Sequence, residues 1–202
     1  MAQITLPIPQ EIGPLFTVNF KSIGLTAAQF EQLCSDNRDL RLELTFEGEL
    51  IVMPPAGSKT GLRNARLNQR LANWADIDGT EACFDSSTGF TLPNGAKYSP
   101  DSGWVRRDRW DALTTEEQEG FAPICPDFVI ELRSPSDSVS RLKNKMQEYI
   151  ENGALLAWLI DPLKRQVYIY RPDHDVEVLE DSETVSGEPL LRGFLLNLHE
   201  LW

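Results

Sequence analysis

Residues 126–137, Pro-Asp-Phe-Val-Ile-Glu-Leu-Arg-Ser-Pro-Ser-Asp, constrain this chain more than any other stretch. Phe128 to Leu132 has the length and apolar character of a short buried strand, interrupted only by Glu131. Ser134 to Asp137 punctuate it, and a helical pattern follows. A carboxylate inside a buried strand is costly unless it is paired, hydrogen-bonded or bound to a cation. The architecture must therefore give Glu131 something to face.

The surrounding pattern points to a mixed sheet. Ser136 to Glu151 reads as a helix with Leu142, Met146, Tyr149 and Ile150 on its apolar face, stopped by Asn152-Gly153. Ala154 to Ile160 is an unbroken apolar run, hence a strand buried on both faces. Asp161-Pro162 ends it, and Gln166 to Tyr170 returns antiparallel. Upstream, Arg41 to Phe46 and Glu49 to Met53 form a hairpin around Glu47-Gly48. Thr26 to Leu33 reads as a short helix capped by Thr26, and Leu62 to Ala75 as a longer one with Leu67, Leu71, Trp74 and Ala75 on one face. Phe84 to Leu92 and Tyr98 to Val105 read as strands. Residues 106–123 are partly helical, anchored by Trp110 and Leu113. Val176 to Leu179 is a further strand before a hydrophobic finish from Leu190 to Trp202. Residues 1–24 form an N-terminal extension, of which residues 1–20 are Pro-rich and mostly uncommitted. The order of elements describes one α/β domain spanning residues 1–202.

Charge and cysteine content narrow the function. The formal charge is −12, so the surface as a whole repels nucleic acid at long range. That counts against a high-affinity, non-specific DNA binder, but not against a cleft with local positive charge and bound metal. The three cysteines and two histidines form neither a C-x-x-C pair nor a zinc-ligand spacing. The chain has no run of 18 or more apolar residues, and its start lacks the basic and apolar regions of a signal peptide. The expectation is a cytoplasmic protein without a membrane span.

Three groups can act with Glu131. Asp127 shares its strand face but lies roughly 13 Å away, too far to share an ion. Asp101, on a separate strand, comes to about 5 Å at Cβ if the two strands pair. Two ionised carboxylates that close require a proton or cation between them, and a hard ion such as Mg²⁺ suits oxygen ligands. Lys145, beside the apolar face of the following helix, can present its ammonium to that pair. Lys143 points about 160° away from it on the wheel. Arg133 shares the strand face of Glu131 and is a rival cation. A plain salt bridge between Glu131 and either Arg133 or Lys145 is the structural alternative. Asn64 falls on the inner face of the Leu62–Ala75 helix and Asn68 on its edge. They are either satisfied core amides or the lining of a substrate cleft.

Gly48-Glu49-Leu50, Met53-Pro54-Pro55, Ser99-Pro100-Asp101, the 126–137 stretch, Lys145 to Tyr149, Asn152-Gly153 and Trp158 to Pro162 together resemble the Uma-two family of putative restriction endonucleases, within the PD-(D/E)XK nuclease superfamily. The resemblance runs from about residue 25 to the end. It implies a restriction-endonuclease-like core, a central mixed β-sheet flanked by helices with an N-terminal β-hairpin. It also implies a Mg²⁺ site (Mn²⁺ substituting) held by Asp101, Glu131 and the Leu132 carbonyl. The superfamily lysine, two residues after the glutamate, is Arg133 here, and Lys145 takes its place from the helix. Arg133 would then clamp phosphate. The first helix offers no acid, only Asn64 and Asn68, and Glu49 is a substitute. The implied activity is hydrolysis of DNA phosphodiester bonds. Cutting both strands of a duplex usually takes two sites, so a homodimer is the expectation, with Trp104 or Trp110 available as an interface aromatic. A catalytically inactive nuclease fold serving as a binding or oligomerisation module is the alternative, and a hydrolase of small phosphoesters is a third.

Overall fold

The computed structural model describes residues 16–53, 55–79 and 82–202. The reading of the first fifteen residues and of Pro54 lies outside them. Among the described residues, no helix is long and apolar enough to cross a membrane.

Among the described residues, two main sheets, a two-stranded hairpin, three long helices and the short helices α3 (Arg107–Trp110) and α4 (Thr115–Glu119) build the domain. The larger sheet has the order β11-β10-β9-β8-β7-β4. Its strands are β4 (Cys83–Asp85), β7 (Ser102–Trp104), β8 (Phe128–Leu132), β9 (Leu156–Asp161), β10 (Gln166–Tyr170) and β11 (Glu177–Glu180). Only β8 and β9 run parallel, through the crossover helix α5 (Val139–Glu151); the other pairs are antiparallel. The smaller sheet, in the order β1-β3-β2-β6-β5, joins β1 (Phe16–Asn19), β2 (Arg41–Leu44), β3 (Glu49–Met53), β5 (Phe90–Thr91) and β6 (Lys97–Tyr98). A hairpin of β12 (Thr184–Ser186) and β13 (Leu195–Asn197) closes the chain.

Strand alternation sorts the core into two layers. Phe128, Ile130 and Leu132 of β8 join Trp158 and Ile160 of β9 against Leu67, Leu71 and Ala75 of α2 (Ser58–Asp78) and the C-terminal Leu191, Phe194 and Leu196. Val129, Ala157 and Leu159 face the other way, against Met146 and Tyr149 of α5. Glu131 has the parity of Val129, so the pleat turns it toward α5. That placement is the structural consequence of one acidic residue in an otherwise apolar strand.

Helix α1 (Ala27–Asp36) starts as expected, with a capping box between Thr26 and Gln29. Helix α2 extends beyond the apolar periodicity of residues 62–75 at both ends, and stops where Gly79 adopts φ 77°. Two long strands expected from sequence are each divided. Residues 84–92 break because the Asp85 carboxylate accepts from the Ser87 N–H and hydroxyl at 2.9 and 2.6 Å, folding a turn. Gly89 then passes so close to Phe121 that a Cβ would lie 2.1 Å from the ring. Residues 98–105 break at Ser99-Pro100-Asp101, where the chain leaves the small sheet for the large one. The segment before residue 20, uncommitted in sequence, supplies β1, which pairs with β3 from Phe16↔Val52 to Asn19↔Glu49. Trp104 is 4% exposed and packs on Trp74 at 5.7 Å, so the expected interface aromatic is a core residue.

Candidate active site

The two sheets meet at a cleft of about 1120 Å³, whose wall includes Glu43, Asn64, Asp101, Glu131, Leu132 and Lys145. Pairing of β7 with β8 puts Ser102 opposite Ile130, so the register continued by one residue brings Asp101 opposite Glu131. The carboxylate of Asp101 accepts the Leu132 N–H at 2.8 Å through Oδ2 and the Asn64 amide at 2.9 Å through Oδ1. A strand residue turns its N–H and C=O to the same edge, so the Leu132 carbonyl also faces the Asp101 side.

Lys145 reaches the pair from the middle of α5. Its Nζ lies 2.6 Å from Glu131 Oε1 and 2.8 Å from Glu43 Oε1, and its side chain is 11% exposed. Lys143 instead lies over the Tyr168 ring at 4.0 Å. Glu43 is 3% exposed and also accepts the Ser99 N–H at 2.9 Å, tying β2 to the segment that carries Asp101. Glu43 was not among the sequence candidates, because Leu42-Glu43-Leu44 reads as a half-buried strand with a wet face. The signal was in its partner: β3 carries apolar Leu50 and Ile51 side by side, both buried, and Ile51 pairs directly with Glu43.

Electrostatics follow from burial. Desolvation raises the Asp101 carboxyl above its ordinary range, against the Leu132 N–H, Arg41, Lys145 and Asn64, which all lower it. Glu131 is raised too, first by burial, with Asp101 and Glu43 adding to the shift and Lys145 opposing it. Burial works to lower Lys145, but Glu131 and Glu43 outweigh it and hold the ammonium charged.

The remaining candidates divide. Arg133 lies outside the cleft lining: its Nη1 pairs with Asp161 Oδ2 at 2.8 Å, because β8–β9 register makes the two cross-strand neighbours. The expected phosphate clamp is thus committed to a buried ion pair. Asn68 is also absent from the lining and donates to the backbone carbonyls of Asn64 and Asp101 at 2.9 and 3.0 Å. Glu49 lines the cleft at the hairpin end. Asp127 binds Arg109 at 2.8 Å and the Arg106 N–H at 2.9 Å, away from the site. Among the described residues, no three His, Cys, Asp or Glu side chains converge as metal ligands.

The fold is that of restriction-endonuclease-like proteins: a central mixed sheet with helices on both faces. It resembles the crystal structure of a putative nuclease belonging to DUF820 from Anabaena variabilis ATCC 29413, with a TM-score of 0.68 and 21% identity over 79% of this chain and 88% of that one. The chain belongs to the Uma2 family, described as putative restriction endonuclease, whose model matches residues 27–199. No curated protein matches it.

Proposed function

We propose that this protein is a Mg²⁺-dependent endonuclease that hydrolyses phosphodiester bonds of DNA. The observation that carries the proposal is the convergence of Asp101, Glu131 and Lys145 in one cleft, with Lys145 Nζ 2.6 Å from Glu131. A bridging lysine in a non-catalytic module would have no need of Asp101 beside it. Two acids raised by burial, backed by a main-chain carbonyl, form an all-oxygen donor set. That set fits Mg²⁺, which takes one or two carboxylates and keeps several waters, better than an ion needing a full protein cage. Mn²⁺ is expected to substitute.

Asp101, Glu131 and the Leu132 carbonyl would hold the ion. When bound, it polarises a phosphoryl oxygen and lowers the pKa of a coordinated water. The protein's own contribution is positional. The Leu132 N–H and Asn64 fix the Asp101 rotamer. Lys145 has three N–H donors, of which Glu131 and Glu43 occupy two. The third is left to orient a water or steady a phosphate oxygen, a contribution worth about 10²–10³ in rate for a preorganised donor. Arg41, Lys59 and Arg141 on the cleft wall supply the phosphate contacts that Arg133 does not. A cleft of this volume, partly open, suits a polymer better than a small phosphoester. The net charge of −12 is offset where it matters, since a divalent ion cancels carboxylate charge at the docking point.

Titration calorimetry with Mn²⁺ tests the metal assignment. Wild-type protein is expected to bind, and Glu131→Gln to bind at least about tenfold more weakly. Absence of binding by folded wild type would leave Glu131 as a salt-bridge residue and favour the non-catalytic module.

A further inference from the structure

Asn64 carries an unexplained atom. Its residue is 8% exposed, its amide Nδ2 donates to Asp101 Oδ1 at 2.9 Å, and its Oδ1 is buried with no hydrogen-bond partner. A buried acceptor left without a donor is costly, because its lost hydration is not replaced. With Asp101 ionised, as a metal ligand must be, reversing the amide does not relieve it, because a carboxylate only accepts and would then face the amide oxygen. The side chain is therefore held with its nitrogen toward Asp101 and its oxygen turned elsewhere. Asn64 is also a residue of the cleft wall, so the unpartnered oxygen belongs to a side chain of the site rather than of the deep core.

The helix is fixed in this position independently of the Asn64 side chain. Asn68, one turn later, donates to the carbonyls of both Asn64 and Asp101. The backbone at Asn64 is thus bound to the segment carrying Asp101, and the amide oxygen is a preorganised neutral ligand atom on a side chain that shares the cleft with Asp101 and Glu131. Such an oxygen accepts from a water or ligates a hard cation.

We infer that Asn64 Oδ1 is part of the cation site, as a neutral oxygen that ligates the divalent ion or one of its waters. This rests on the metal reading of Asp101 and Glu131 and adds to it: helix α2 contributes to the ion's surroundings without adding a third negative charge. The amide would then have two separable duties, its nitrogen holding Asp101 and its oxygen serving the ion.

Full-length wild type, Asn64→Asp and Asn64→Leu separate the duties, with Mn²⁺ alone as the probe. The aspartate variant keeps a side-chain oxygen and loses the N–H donor; the leucine variant, close in shape, loses both. Calorimetric affinity is measured at one pH for all three, with thermal melts in EDTA to establish folding. Asn64→Ala replaces the leucine variant if that one does not fold. The expected result is about tenfold weaker binding for Asn64→Leu, with Asn64→Asp equal to or tighter than wild type. Equal weakening of both variants would overturn the inference, since only the N–H to Asp101 would then matter. Affinity unchanged in Asn64→Leu would overturn it as well, leaving the oxygen to an ordinary structural water. Failure of wild type itself to bind Mn²⁺ is a different result, which removes the metal reading and this inference with it.

Discussion

Lys145→Met is expected to destabilise the metal-free protein by about 3–5 kcal/mol at about pH 9.5, the range for removing one partner of a buried ion pair. The substitution keeps the length of the stem but leaves Glu43 and Glu131 buried, 3% and 6% exposed, without their shared cation. The loss depends on pH, and its sign follows from the direction of the Glu131 shift. Burial raises that carboxyl in the folded state, with Asp101 and Glu43 adding to it. A raised carboxyl contributes stability that is present below its unfolded pKa and is lost as pH rises through the folded value. Lys145 is the group that opposes the rise, so removing it pushes Glu131 further up. Glu131 is raised to about 8 in the wild type, so the part of the deficit that comes from it should be small below that pH and grow above it. Urea denaturation in EDTA at about pH 6 and about pH 9.5 measures it. A deficit independent of pH would mean that Lys145 contributes packing rather than charge.

Arg133→Ala is expected to destabilise by a similar amount, about 3 kcal/mol, at the lower end of that range. Asp161 is 0% exposed and loses the cation it pairs with, yet its other oxygen, Oδ1, still accepts the Leu163 and Lys164 N–H groups at 3.0 and 3.3 Å. Those two bonds soften the cost. Arg133→Lys should recover only part of it, since a single ammonium replaces a planar fork. The informative comparison is with cleavage: once the variant's folded fraction is matched to wild type by temperature, its rate and KM for DNA should be close to those of wild type. A KM raised tenfold or more in fully folded Arg133→Ala would return the arginine to the substrate.

Both predictions turn on where sequence pattern was sufficient and where it was not. Strand β8 was legible to the residue, because five consecutive side chains bury and only one is charged. The apolar run into β9 announced a strand covered on both faces, and the parallel β8–α5–β9 unit follows from that. Facing of Asp101 and Glu131 was a conditional geometry that depended on β7 pairing with β8, and that pairing exists. Alternation alone placed Arg133 on the correct face but could not name its partner. The partner is set by the register of a neighbouring strand, which brings Asp161 alongside. Glu43 was invisible for the same reason. A strand with one acidic residue looks half-solvated until the helix that covers it is known, and that helix is separated from it by 102 residues in the Lys145–Glu43 contact. The strand breaks at Asp85 and Pro100 were missed because alternation continues through them, whereas a side-chain-to-backbone turn and a change of sheet do not register in hydropathy.

The central claim is that Asp101, Glu131 and Lys145 form a metal-dependent phosphodiesterase site. Its most direct test is nicking of supercoiled plasmid DNA, at low salt, by wild type, Asp101→Asn and Glu131→Gln, each with Mg²⁺, with Mn²⁺ and with EDTA. Thermal melts should show all three proteins folded. Wild type is expected to convert plasmid to open-circular or linear DNA only with metal, and each variant to lose at least about 10³ of that rate, the scale of removing a principal electrostatic stabiliser. Metal-dependent cleavage that persists undiminished in either folded variant would contradict the assignment.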